Sequence, residues 1–189
     1  MIQSLLVLLL LAPSPQVLPD TPRLSPVPIS VLEPEDISVV HYIDGQNKPI
    51  PLEMHRSQLV TDRGRLFRGA REMLVVPGIT SPVQFREGEL PVFVVQVLLP
   101  MQLPTDYELF PLNVQKRENQ RAVILTDSGW WSDTGSRGYH LRIRRHGQNS
   151  FKIFITNPLP PGEYAFKYGL SATKSKDLYC FTVLSKRTP

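Results

Sequence analysis

Two tripeptides that could carry acid–base chemistry, Asp127-Ser128-Gly129 and Asp133-Thr134-Gly135, stand six residues apart. Aspartic proteases use such tripeptides because two aspartates must meet across a symmetric interface and share a proton. Copies this close cannot belong to two lobes. A one-copy homodimer would want an apolar strand running into the aspartate, and Trp131-Ser132 stands there instead. Asp, Ser, Thr and Gly are common loop residues, so the segment reads as a loop. Ser171-Ala172-Thr173-Lys174 spells a serine–lysine tetrad. That chemistry needs the serine at a helix start and a desolvated lysine one turn on. Flanked by Gly169, Lys176 and Asp177, the tetrad reads as a solvated turn between strands.

The histidines are His41, His55, His140 and His146. His140 and His146 could share a strand face, but strand rise would hold them about 20 Å apart, too far for one metal. His41 lies on an alternating stretch and reads as a half-buried packing residue. No metal site and no cofactor is expected. With no clustered nucleophile and base, the chain reads as non-enzymatic, and a hydrolase is the enzymatic alternative. Cys180 alternates with Leu178 and Thr182 and reads as a small buried hydrophobe. A free thiol pairing with another chain is the other reading.

Two features suit binding. Between Thr134 and Gly162 there is no acidic residue, while Arg137, Arg142, Arg144, Arg145 and Lys152 supply five positive charges. Leu141 and Ile143 alternate with Arg142 and Arg144, and Phe151, Ile153 and Ile155 alternate with Lys152. A hairpin here would have one apolar and one basic face. The basic face suits an anionic partner such as a lipid headgroup, acidic glycan or nucleic acid. It would equally serve as an ordinary solvated sheet face whose Arg and Lys blunt edge pairing. The second feature is Ser128-Gly129-Trp130-Trp131-Ser132. Adjacent residues in an extended segment point opposite ways, so Trp130 and Trp131 can both be buried only if the chain bends sharply. An exposed indole offers a flat apolar face to a sugar ring or a protein. Alternatively, one indole caps the fold and the other lies against its surface. The candidate binding residues are Trp130, Trp131, Arg142, Arg144 and Lys152.

Composition limits what must position these residues. The chain has 189 residues, a net charge of +4 and 41% apolar residues, enough for one core and unlike a disordered or multi-pass membrane protein. One cysteine excludes an intrachain disulfide framework, and 19 prolines argue against a helical protein. Seven of those prolines fall between positions 13 and 34, marking a semi-rigid extended spacer. Ahead of it, Leu5 to Ala12 is apolar but far shorter than the roughly 20 residues of a membrane span. It matches the apolar region of a secretory signal. Against that, the first 22 residues hold no Lys or Arg, and proline follows both Ala12 and Ser14. The expected organisation is a signal-like segment over 1–14, a Pro-rich linker over 15–35 and one domain over 36–187.

Within that domain the apolar pattern is short and alternating, with no helical period sustained over ten residues. Ser38–Ile43 and Pro49–Met54 flank the turn Asp44-Gly45-Gln46-Asn47. Arg71–Val76 and Pro82–Arg86 follow, and Leu90–Leu99 reads as a central strand buried on both faces. Tyr107–Lys116 with Arg121–Thr126, and Tyr139–His146 with Ser150–Thr156, read as hairpins. Glu163–Tyr168 and Leu178–Leu184 complete the set. About nine or ten strands without intervening helices predict an all-β fold, a single antiparallel β-sandwich that is Ig-like in broad architecture.

Tyr42-Ile43-Asp44, Gly69-Ala70-Arg71, Val76-Pro77-Gly78 and Ser81-Pro82 occur in that order. Leu159 to Phe166 and Tyr179-Cys180-Phe181-Thr182-Val183 follow. This order resembles a loose group of uncharacterised bacterial proteins, predicted to be exported and built mainly of strands. The resemblance covers about 36–185 and implies the fold alone. Together these readings point to an exported protein of the periplasm, envelope or extracellular space, with a cytoplasmic protein as the minority reading. It would serve as an accessory subunit or protein-interaction module, or else as a glycan- or anionic-surface-binding module. Its partner would be an envelope protein or a glycan. Nucleic acid is not expected, and membrane association would come only through an uncleaved N-terminus or a partner.

Overall fold

The computed structural model describes residues 32–63, 70–98, 106–127, 138–168 and 176–186. Among the described residues it has thirteen strands and no helix, so the fold is all-β, with more strands than the nine or ten expected. The first run of alternating residues gives β1 (Val40–Ile43) and β2 (Pro49–Pro51), joined as expected by the turn at Asp44. The Asp44 carboxylate accepts the backbone N–H groups of Gln46 and Lys48 at 2.9 and 2.8 Å, and Asn47 adopts a φ of 62° that closes the turn.

The stretch Pro49–Met54, expected as one returning strand, is two. The ladder with β1 ends one residue past Pro51, where Leu52 donates its N–H to the Val40 carbonyl at 2.9 Å. After buried Leu52 the chain crosses into the other sheet as β3 (Glu53–Arg56) and continues as β4 (Gln58–Arg63). The charged and polar residues of Glu53–Arg63 concealed β4 and the end of β3. β5 (Ala70–Pro77), β6 (Gln84–Arg86) and β7 (Phe93–Gln96) follow. Then come β8 (Tyr107–Gln115), β9 (Gln120–Asp127), β10 (Leu141–Arg145), β11 (Ser150–Ile155), β12 (Gly162–Tyr168) and β13 (Asp177–Leu184).

One sheet runs β10-β11-β7-β1-β2 and the other β3-β13-β12-β8-β9-β5-β4. All pairings are antiparallel except that of β6, which adds to β13 in parallel. As expected, β7 is central to its sheet and buried on both faces, with Phe93, Val94 and Val95 all inaccessible, but it is shorter than Leu90–Leu99. Facing surfaces of the two sheets share one core. Val40, Phe93, Val95, Phe151 and Ile153 enter it from the first sheet, and Leu109, Tyr164, Phe166, Tyr179 and Phe181 from the second. Phe93 meets Phe166 edge-on with centroids 4.9 Å apart, a geometry aromatic rings favour.

The larger sheet also has a second apolar layer. Ala165, Leu178 and Cys180, on the opposite faces of β12 and β13, pack with Phe110, Leu112, Leu74, Val76 and Val123. The β8–β9 hairpin explains how this happens. Only Asn113–Gln115 of β8 pairs with β9, while its earlier residues pair with β12 and β9 pairs with β5 from Gln120 to Asp127. The sheet therefore folds back on itself, and β12 and β13 are covered on both sides.

Candidate functional site: the β10–β11 hairpin and its turn

β10 and β11 form the hairpin expected from their alternation. Leu141 pairs with Ile155 and Ile143 with Ile153, and these side chains pack against the main core. On the other face Arg142 stands opposite Phe154, and Arg144 opposite Lys152. Three of the five candidate residues, Arg142, Arg144 and Lys152, are thus brought together. Trp130 and Trp131 lie outside the described residues, as do Asp133 and Ser171.

Arg142 places its guanidinium 5.4 Å from the centre of the Phe154 ring, within cation–π range. Phe154 is therefore part of the basic face, an aromatic member that the alternation of Phe151, Ile153 and Ile155 with Lys152 left out. Like charges directly opposite each other on neighbouring strands repel. Among the described residues no carboxylate pairs with Arg144 or Lys152. Arg145, one register step on, lies over the core ring of Phe151 at 5.5 Å and donates from Nη1 to the Gln148 carbonyl at 3.2 Å.

The turn holds a feature that sequence reading missed. Gln148 and Asn149 each donate a backbone N–H to the Glu33 carboxylate, to Oε1 at 2.7 Å and to Oε2 at 3.1 Å. Ser150, wholly buried on β11, turns its Oγ toward the same carboxylate without completing a hydrogen bond. Burial alone would raise the pKa of Glu33. The two N–H groups, the Ser150 hydroxyl and the charge His146 carries when protonated outweigh it, and the carboxyl is held below its ordinary value. Burial, together with the Lys152 charge, holds His146 below the usual imidazole value, against the pull of Glu33. Glu33 belongs to a segment further secured by Gln96. The Gln96 carbonyl accepts Ser38 N–H at 2.8 Å, and its amide, turned to donate, reaches the carbonyls of Pro34 and Glu35 at 2.5 and 3.2 Å.

A second polar cluster lies within the larger sheet. Arg121, with no exposed surface, donates from Nη1 to Glu163 Oε2 at 3.1 Å and from Nη2 to Glu53 Oε2 at 3.2 Å. Its Nε reaches the Gly78 carbonyl at 3.1 Å. Glu163 also accepts Ser81 N–H at 3.1 Å and Thr182 Oγ1 at 2.7 Å, and His55 Nε2 donates to Glu53 Oε1 at 2.7 Å. Burial would raise the Glu53 carboxyl, but hydrogen bonds from Ser81 and His55 and the Arg121 charge hold it low. These groups are spent on one another. Thr182 Oγ1 is already committed to Glu163, and Ser81 Oγ is buried and donates to the Cys180 carbonyl at 3.3 Å. The arrangement ties the Pro77–Val83 loop and β3 to β9, β12 and β13. Its sequence signal was a charge at an inward position: Arg121 alternates with Val123 and Leu125, and Glu163 with Ala165.

Cys180 is buried, and burial pushes its thiol up to about 12, so the buried-hydrophobe reading holds. His41 is more deeply buried than the half-buried residue expected, at 3% exposure, with Nδ1 donating to the Val39 carbonyl at 3.0 Å. Among the described residues no three His, Cys, Asp or Glu side chains group as metal ligands, and no helix is long and apolar enough to cross a membrane. No known protein family matches the chain, and neither does any curated protein or any solved structure.

Proposed function

We propose that this chain is a non-enzymatic interaction module of the cell envelope, exported, and built on a β-sandwich of broadly Ig-like architecture. It acts as an accessory subunit that presents the outer face of β10–β11 to an acidic glycan. The observation that carries this reading is the Arg144–Lys152 pair. Two like charges held opposite each other cost stability, and an anion bridging them turns that repulsion into affinity. Phe154 beside Arg142 adds an aromatic surface on which a sugar ring can stack. Export rests on the apolar Leu5–Ala12 segment and the Pro-rich stretch behind it. Trp130 and Trp131 would extend the glycan contact.

The test compares the wild-type chain with the triple variant R142Q/R144Q/K152Q for binding to oligogalacturonate at two ionic strengths. Loss of at least about tenfold in the variant, equivalent to roughly 1.4 kcal/mol, with salt-sensitive binding in the wild type, supports the reading. Unchanged binding removes it. If the wild type instead copurifies from envelopes with one stoichiometric protein and does not bind the glycan, the accessory-subunit reading stands without the glycan.

A further inference from the structure

The β10–β11 turn is made to hold a carboxylate, and the residue now in it belongs to the chain itself. Each Glu33 carboxylate oxygen takes one backbone N–H, from Gln148 and from Asn149. Paired donors of this kind recognise planar two-oxygen anions. Two independent observations show that the seat is shaped around that group. Gly147 lacks the positive φ that would demand glycine, yet a Cβ there would fall 2.1 Å from Glu33 Oε1. The glycine is needed for the carboxylate and not for the turn. Ser150 Oγ is buried, has no hydrogen-bond partner and faces the site. The seat is continuous with the basic face, because Ser150, Lys152 and Phe154 occupy alternate positions of one strand and share its face.

We infer that Glu33 is a built-in ligand for this seat and that a carboxylate of an external acidic glycan competes with it, displacing the Glu33–Ser38 segment from the turn. The inference rests on the proposed glycan reading and names the group recognised: a sugar carboxylate, bound bidentately by the Gln148 and Asn149 amides with the Ser150 hydroxyl as third donor. Arg144 and Lys152 supply long-range attraction along the adjoining face. Occupation of the seat by the chain's own carboxylate lowers apparent affinity by the fraction of molecules in which it is closed.

The experiment uses the full chain and two probes, acetate and oligogalacturonate, with wild type, E33A, E33Q and R142Q/R144Q/K152Q. Acetate titration followed by amide NMR should shift the Gln148 and Asn149 signals in E33A and leave them nearly still in the wild type. Oligogalacturonate should bind E33A and E33Q at least about threefold more tightly than the wild type. Equal or weaker binding by both variants, with E33Q still folded by its dispersed spectrum, overturns the inference. Silence of the two amides toward acetate in both variants also overturns it. Binding to phosphatidylglycerol vesicles with no response to either carboxylate probe would overturn the carboxylate assignment in favour of phosphate. The arms fail separately. An unaffected triple variant sinks the basic-face reading, while the acetate response of Gln148 and Asn149 still decides the seat.

Discussion

Arg121 and Glu163 meet at 3.1 Å although β8 separates their strands in the sheet. They can do so because the sheet folds back beyond Asn113, and their pairing closes that fold. Removing the guanidinium would strand two carboxylates inside the protein. We expect Arg121→Met to cost about 3–5 kcal/mol, the range for breaking a buried pair. Replacing Glu163 with Gln at the same time should recover part of the loss. Urea denaturation of the two variants checks both expectations, and an Arg121→Met midpoint within error of the wild type would contradict them.

Glu33 and Gly147 should be thermodynamically coupled. Charge-assisted hydrogen bonds to a carboxylate are worth about 1.5–3 kcal/mol before solvent exposure reduces them, so Glu33→Ala should cost about 1 kcal/mol. Gly147→Ala cannot coexist with the Glu33 side chain in its seat. The double variant should therefore be no less stable than Gly147→Ala alone. A double-mutant cycle reads this directly; additive losses would mean that the alanine perturbs something else.

Ser38 has a φ of 64°, and its carbonyl accepts hydroxyls from Tyr107 at 2.7 Å and Tyr179 at 2.9 Å. Tyr179 has its phenol pushed to about 12, first by burial and then by Asp177. Two hydroxyls thus hold a serine in a backbone region that favours glycine. Tyr179→Phe should cost about 1 kcal/mol, and Ser38→Gly should leave thermal stability unchanged or raise it. Melting curves of the two variants compare them.

Cys180 should be unreactive while the protein is folded. Buried, and with its thiol pushed to about 12, it offers almost no thiolate at neutral pH. A disulfide-forming chromogenic reagent should label it only at the rate of unfolding, with full labelling in denaturant. Rapid labelling of the native protein would contradict this placement.

Acid should destabilise the fold in two steps. His146 is held below its ordinary value of 6.5, so its contribution is complete above that pH and falls as pH drops from 6.5 through its lower folded value. Glu33 and Glu53 are held below 4.5, so their contributions persist above that pH and fade as pH drops from 4.5 through their folded values. Glu108, raised first by burial and eased by Lys167, acts in the opposite sense and is a smaller counterweight. Unfolding free energy measured from pH 8 to pH 3 should stay level above 6.5, decline below it and decline again below 4.5, and Glu33→Gln should flatten the lower step.

Much of the strand content was legible in the amino-acid order. Alternation at Leu141–Ile143 and Phe151–Ile155 set which face of the β10–β11 hairpin is apolar, and Asp44-Gly45-Gln46-Asn47 marked the turn between β1 and β2. Such signals are local, since side-chain period and turn chemistry act over a few residues. β4 and the end of β3 were illegible because residues such as His55 and Asp62 interrupt any apolar pattern, and Glu53 is partly buried against Arg121, 68 positions away.

By itself, then, the sequence determined the all-β character, the basic stripe of Arg142, Arg144 and Lys152, and the apolar side chains that form the core. Only the tertiary structure decided that the larger sheet folds back to bury Arg121 against Glu163, and that Glu33 occupies the turn at Gln148 and Asn149. Those contacts join residues 42 and more than 100 positions apart. Long-range pairing of charges depends on where whole strands come to rest, and the alternation of neighbouring side chains carries no record of that.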